Sequence, residues 1–305
     1  MPGFESHYFF GQEMIPLYPA KLQNTLKKYP KSYQIGLQGP DIFFYCIPAY
    51  FTSEKNIGNI MHNHGTWAFF DACLTVRKRV ISQKVKEIID AYLLGFMCHY
   101  TLDTVCHPYI YYRTKHMEHQ NRESYDFGIH VFLETDIDNA LIRHFTHREP
   151  SQFKPWKTIE LTAVEVRVIT CFLYRVFSIA YPEHEIRKSL ITNALKSMAI
   201  GQKLLNDPFG RKKLIARKIE ERFFGHAIIS SMVPNDHFQK YTDPLNLNHH
   251  QWHNPWDPSQ RSTEDFFELL SRSQEIMKRR GQLLDNPLSL LEDLSDCSYL
   301  SGLPL

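Results

Sequence analysis

Apolar residues along this chain recur with the spacing of helices, and no stretch of useful length alternates as a strand does. The strongest run is 83–107, which contains VKEIIDAYLLGFMCHYTLDTVCH and is apolar around most of its helical surface. A helix of that kind belongs at the centre of a fold. Pro108 is expected to end it. A second helix is predicted from about 128 to 145, after a polar connection at 113–127. Residues 158–181 are rich in β-branched side chains, yet their length predicts a buried helix. Helical periods follow at 183–206, 214–232 and 262–281, the last capped by Ser262 or Thr263. Near the N-terminus, an aromatic segment around His7 runs into Pro16 and Pro19, and 20–29 is amphipathic. The stretch 234–258 reads as a long irregular loop, and the tail 285–305 as poorly structured, although it contains LSLLEDL. The pattern predicts an all-α, multi-helix fold with 1–305 as a single domain. Its parts are a motif-bearing core at 5–145, a helical C-terminal half at 158–281 and the tail.

Composition changes this picture little. The 305 residues include 43% hydrophobic side chains, with 21 Phe and 16 Tyr, enough for a sizeable core. A formal charge of +2 gives no strong nucleic-acid signal and none for an anionic membrane. The basic runs Arg77-Lys78-Arg79, Arg211-Lys212-Lys213 and Lys278-Arg279-Arg280 read as solvated helix faces or ends. Six Cys form no CxxC pair, no window approaches a membrane-spanning length, and MPGFESHYFFGQ does not read as a secretory signal. The expectation is a reduced, cytoplasmic protein. Sixteen His are the compositional oddity.

Many of these His fall where a helix would align them. His99, Asp103 and His107 stand at i, i+4 and i+8 of the central helix, and His130 and Glu134 repeat the step on the next. Residues four apart share a helix face. A single such pair is more often an ion pair or a core hydrogen bond. Two columns in apolar sequence, on helices joined by a polar connection, argue instead for a shared divalent cation, because burying these groups unpaired is costly. His with carboxylate and no thiolate is typical of catalytic zinc, and such a set also accepts Mn, Fe or Ni. Gly36, Gly39 and Pro40 deliver Asp41 to the start of an apolar run, where it is either a helix N-cap or a ligand. His62 and His64 precede a Trp/Phe-rich helix. In the 234–258 loop, His237, His249, His250 and His253 with Trp252 and Trp256 either cover a site or pack as an ordinary loop. His116, His119, His144 and His147 lie in polar surroundings and read as solvated.

The motifs HYTLDTVCHPY, HVFLE and GPDIFFY, with His7 ahead of them, resemble the zinc-dependent phospholipase C family over roughly 5–145. That resemblance implies an all-α fold of the phospholipase C and P1-nuclease kind, with a zinc cluster that hydrolyses phosphoesters. It assigns Asp41, His62 and His99 to one zinc, favouring His62 over His64, and makes Asp103 a bridging carboxylate. It gives His107, His130 and Glu134 a separate ion, and His7 the third site. The family's secreted members complete that third site with an N-terminal Trp, and this chain has no Trp before Trp67. About two to three ions are therefore expected. Asp41 is the candidate catalytic group that orients or deprotonates the attacking water, and His64, Trp252 and His253 are candidate substrate contacts. The implied reaction is attack of a zinc-activated water on a small-molecule or lipid phosphodiester. A single-strand nuclease or phosphomonoesterase would use the same cluster, and a metal-stabilised binding protein would keep it without catalysis. The sequence does not specify the oligomeric state.

Overall fold

In the computed structural model, residues 3–46 and 56–305 are described; residues 47–51 of the apolar run after Asp41 lie outside them. The architecture is all-α, 67% helical, with a small two-stranded sheet. In chain order the first helices are α1 (Phe4–Met14), α2 (Ala20–Lys28), α3 (Pro30–Gly36), α4 (Ile57–Asn63) and α5 (Thr66–Lys78). A 3-10 segment, Gly39–Phe43, lies between α3 and α4. There follow α6 (Gln83–Arg113), α7 (His116–His119), α8 (Glu123–Thr146), α9 (Ala163–Ala180), α10 (Lys188–Leu205) and α11 (Arg211–Phe223). Strands β1 (Trp252–Asn254) and β2 (Asp257–Ser262) precede α12 (Phe266–Leu283) and α13 (Pro287–Leu294).

Helix α6 is the axis. Nearly every residue from Ile88 to Ile110 is buried, as its all-round apolar pattern requires, and α1, α2, α3, α8, α9, α12 and β1 all pack on it. The core cluster is continuous from Phe4 to Tyr299. Its tightest crossing is α3 on α6, where two backbones meet through glycines. A Cβ on Gly36 would lie 2.2 Å from the Tyr92 carbonyl oxygen, and one on Gly95 2.2 Å from that of Tyr33. Helix α9 starts at a reciprocal capping box, Thr162 with Glu165, whose second carboxylate oxygen accepts from Ser32 of α3 at 2.8 Å.

Several expected boundaries move. Helix α6 runs through Pro108 to Arg113. The Thr104 carbonyl that Pro108 cannot bond lies against the backbone of Gly302 (φ +65), where a Cβ would be 2.3 Å from the oxygen. Beyond it, Arg113 secures the last turn by donating to the carbonyls of Thr242 and Asp243. The helix expected over 214–232 ends at Phe223, and Gly225 (φ +72) turns the chain into a separate 3-10 segment, Ser230–Met232. Helix α12 is capped by Asp265 in a box with Glu268, because Ser262 still belongs to β2. The 234–258 loop carries β1 and the first residues of β2, a hairpin too short and too irregular in register to show alternation. The tail is ordered: α13 packs on α5 and α12, and the Tyr299 ring lies 4.8 Å from that of Tyr100. No helix among the described residues is long and apolar enough to cross a membrane.

The glycine crossing makes a direct test. Gly95→Ala is expected to destabilise the protein by about 1–3 kcal/mol through overpacking against the α3 backbone. A denaturation midpoint equal to wild type would show that α3 and α6 are not in this contact.

Candidate metal centre

Four elements converge on the buried carboxylate of Asp103. The first turn of α1 brings His7, the 3-10 segment Asp41, α4 His62, and α6 both His99 and Asp103 itself. Gly39, in the left-handed region at φ +49, lets the 3-10 segment run against α6; a Cβ there would lie 2.4 Å from the His99 ring. Asp103 Oδ1 is 3.3 Å from His7 Nε2, and its Oδ2 is 3.2 Å from His99 Nε2 and 3.6 Å from His62 Nε2. Asp41 Oδ1 stands 3.4 Å from His62 Nε2 and 3.8 Å from His99 Nε2. Asp41 thus lies inside its 3-10 segment with Oδ1 turned toward the histidines, and no side-chain cap bond forms at that segment. The rings of His7 and His99 stack with centroids 4.1 Å apart.

The backbone fixes which nitrogen faces inward. His62 Nδ1 donates to the Gly58 carbonyl at 2.7 Å, His99 Nδ1 to Leu37 at 3.1 Å and His107 Nδ1 to Tyr299 at 2.5 Å. Each bond places the proton on Nδ1 and leaves the Nε2 lone pair directed into the cluster, the usual posture of a metal-binding imidazole. Among the described residues no hydrogen bond satisfies Nε2 of His7, His62, His99 or His107, Oδ1 of Asp41, or either oxygen of Asp103. Orphaned buried polar atoms cost about 1–3 kcal/mol each. Their concentration at one point is the mark of a site shaped for a cation.

The electrostatics agree. Burial pushes His7 down to about 4, with the His99 ring adding to the effect. Burial likewise holds His107 and His130 well below the usual imidazole range, so these rings are neutral and able to coordinate. Asp103 is held well below the carboxylate range: its burial is outweighed by the rings of His99, His107, His62 and His7 around it. His62 differs. Burial opposes its charge, but Asp103 and Asp41 lift it to about 9, so a proton occupies the place that a cation would take.

The second column is built alike. His130 Nε2 and Glu134 Oε1 on α8 lie 2.7 Å apart, and the His107 ring is 5.7 Å from His130. Within each of the sets His7–Asp41–His99, His62–His99–Asp103 and His107–His130–Glu134, one ligand atom per residue lies within 4.8 Å of the others. All eight predicted ligands are therefore buried in these three adjoining sets, and oxygen and imidazole donors of this kind fit zinc. A further set, His249–Asp265–Glu268, is largely exposed, and its carboxylates are occupied in the α12 capping box.

A cavity of about 270 Å³ opens onto Asp41 and Glu134. Phe44, Phe127, Val131, Met198, Ile228 and Met232 give it apolar walls, and Glu5, Tyr45 and Asp138 a polar end. Burial raises Glu5 well above its usual value and raises Asp138 as well. A cavity of about 630 Å³ between α9 and α10 contains none of the eight ligand candidates.

The three candidate substrate contacts sit elsewhere. His64 is exposed. Trp252 is buried edge-on to Tyr109 and donates to the Glu264 carbonyl, and His253 packs on Tyr112. It is Trp256 that approaches the site, 5.0 Å from Tyr111, whose ring covers both His130 and His107. His116 is not simply solvated: its Nδ1 is 2.8 Å from Asp126 Oδ2, and its ring meets Tyr111 and Trp256. Sequence reasoning also missed the carbonyls of Leu37, Gly58 and Tyr299, since a backbone acceptor carries no side-chain signal.

Residues 6–181 match the family described as "Zinc dependent phospholipase C". No curated protein and no solved structure matches the chain.

Two measurements probe the cluster. Tag-free protein is expected to hold about two to three zinc ions per chain, and Asp103→Asn to lose more than one of them, as plasma mass spectrometry would read. Chelation is expected to lower stability by about 2.7 kcal/mol for each site held at 100-fold excess over its Kd. A denaturation curve unmoved by chelator would refute a structural contribution from the metal.

Proposed function

The chain belongs to the zinc dependent phospholipase C family, and on that premise we propose that it is a zinc-dependent phosphodiesterase whose substrate is a phospholipid. The observation that carries this reading is the junction of two features: a buried nest of orphaned ligand atoms, and an apolar-walled cavity opening onto it. A phosphate with acyl chains attached matches both halves. Phe44, Tyr45 and Phe127 also give the cavity an aromatic wall, of the type that receives quaternary ammonium groups.

Zinc, when bound, supplies positive charge for the phosphoryl oxygens and water ionised near neutral pH. The protein's own residues do the rest. The rings of His7, His99 and His107, held by their neighbours, keep the donor atoms in place. Asp103 supplies negative charge between His7, His62 and His99 and is the bridging candidate. Asp41 lies at the floor of the cavity with Oδ1 beside His62 and His99, where it can orient the attacking water and accept its proton. Attack of that water on phosphorus breaks the bond to the glycerol oxygen, giving a diacylglycerol and a phosphorylated headgroup. The apolar wall excludes bulk water from the acyl side.

Zinc-loaded protein is expected to release phosphocholine from phosphatidylcholine and to hydrolyse bis(p-nitrophenyl) phosphate, both blocked by chelator. Asp41→Asn is expected to lower kcat by about 10²–10⁴ with little change in KM. Cleavage of single-stranded DNA without lipid hydrolysis would replace this reading with the nuclease one. Bound zinc with no turnover of any diester would favour the binding protein.

A further inference from the structure

Helix α11 is inside out. Its fully buried side chains are Lys213 and Glu220, both charged, while Leu214, Ile215, Ile219 and Phe223 are exposed. The inward charges are satisfied. Lys213 Nζ donates to the Val233 carbonyl at 2.8 Å over the rings of Phe132 and Phe238, and Glu220 Oε1 accepts from the backbone N–H groups of Ile229 and Ser230. The apolar residues are not: Phe209 is 81% exposed, Phe223 71% and Leu214 62%. A water-soluble helix spends its apolar residues on the core, so a helix anchored through its charges leaves its Leu, Ile and Phe for another surface.

Basic residues share the outward face. Residues 209–229 carry six Lys/Arg and two Glu, a local excess of positive charge larger than the +2 of the whole chain. Lys212 is engaged with the carbonyls that end α10, and Arg217 with Glu221. Arg211, Lys218 and Arg222 are exposed and form no ion pair among the described residues. Exposed apolar side chains interleaved with unpaired cations are the composition of helices that lie in the headgroup region of an anionic bilayer. The position fits as well. The strap that leaves α11 brings Ile228 and Met232 into the wall of the cavity at Asp41 and Glu134, with the exposed Ile229 between them. Thr135, next to Glu134 on α8, ties that strap down through the Ser231 carbonyl.

We infer that α11 and its flanks, with Phe209, Leu214, Ile215, Ile219, Phe223 and Ile229 entering the interface, dock this protein on an anionic lipid surface beside its cavity mouth. The inference extends the phospholipid reading of that cavity and rests on it only for its purpose, since the docking face stands on its own residues. Phe and Ile side chains enter the acyl boundary, and Arg211, Lys218 and Arg222 meet lipid phosphates and carboxylates. A lipid then has a short path from the bilayer to the cluster.

The test is flotation of zinc-loaded, full-length protein, in the cold, with vesicles of phosphatidylcholine alone or with about 30 mol% phosphatidylserine. Binding is expected to the anionic vesicles and to weaken as salt rises from about 0.1 M to about 1 M. Each of Arg211→Gln, Lys218→Gln and Arg222→Gln is expected to weaken it about fivefold, and Ile215→Ser with Phe223→Ser about tenfold or more. These side chains are exposed, so the denaturation midpoint should not move. Equal binding by wild type and the Ile215/Phe223 variant would overturn the inference. So would self-association through α11 that the same variant abolishes and lipid leaves unchanged. Hydrolysis of bis(p-nitrophenyl) phosphate separates the two proposals. Turnover without flotation leaves the phosphodiesterase standing and removes the docking face; flotation without turnover does the reverse.

Discussion

The structure depends on a buried anion. Asp103 sits at zero exposure in the middle of the longest helix, where an unpaired carboxylate would cost several kcal/mol. The fold answers by bringing imidazoles from α1, α4 and α6 to within 3.6 Å of its oxygens. His99 and His107 in turn take their orientation from the backbone of other segments, and His62 from its own helix. Leu37 lies just past α3, Gly58 is in α4, and Tyr299 is six residues from the C-terminus. The glycines at 36, 39 and 95 are where side chains would force these segments apart. Core packing and site geometry are therefore one constraint, and a change that separates α3 from α6 also turns His99.

The hydrogen-bond pattern also explains why the site favours a cation over a network of its own. Three imidazoles each spend Nδ1 on a carbonyl, so in the neutral state they have only acceptors left to offer. The Asp103 oxygens are acceptors too. Acceptor facing acceptor is repulsive until a proton or a metal stands between. His62, lifted to about 9 by the two carboxylates, shows the proton solution. A divalent ion satisfies several lone pairs at once and needs no ring to become charged in a dry site.

What the sequence made legible follows from periodicity. His99, Asp103, His107, His130 and Glu134 could be placed on helix faces because i, i+4 spacing is a local rule, and the all-round apolar character of α6 marked the axis of the fold. Where the outcome turned on distant backbone, local rules failed. Pro108 ends an isolated helix, yet here the freed Thr104 carbonyl faces Gly302, nearly 200 residues away in the chain. The tail looked unstructured because its contribution is a carbonyl at Tyr299 and ring contacts with Tyr100, neither of which has a pattern. The sequence points to Trp252 rather than Trp256 as a substrate contact, whereas a hairpin of irregular register buries Trp252 against Tyr109 and sends Trp256 to Tyr111.

Helix α11 shows the limit of the amphipathic rule from the other side. Periodicity reports that apolar residues recur; the inward face follows only from the assumption that apolar means core. In α11 the assumption inverts, because Lys213 and Glu220 find carbonyl and N–H partners inside and fix the helix by its charges. Net charge hides the same segment, since the surplus at 209–229 is offset by acidic residues elsewhere in the chain. Both quantities average over a surface that is not uniform. Cavity and outward face meet along the strap of residues 228–232, where Ile228 and Met232 line the wall and Ile229 is exposed. A face outside the cavity and a wall inside it, carried on one short segment, would couple the proposed approach of a lipid to the geometry around Asp41.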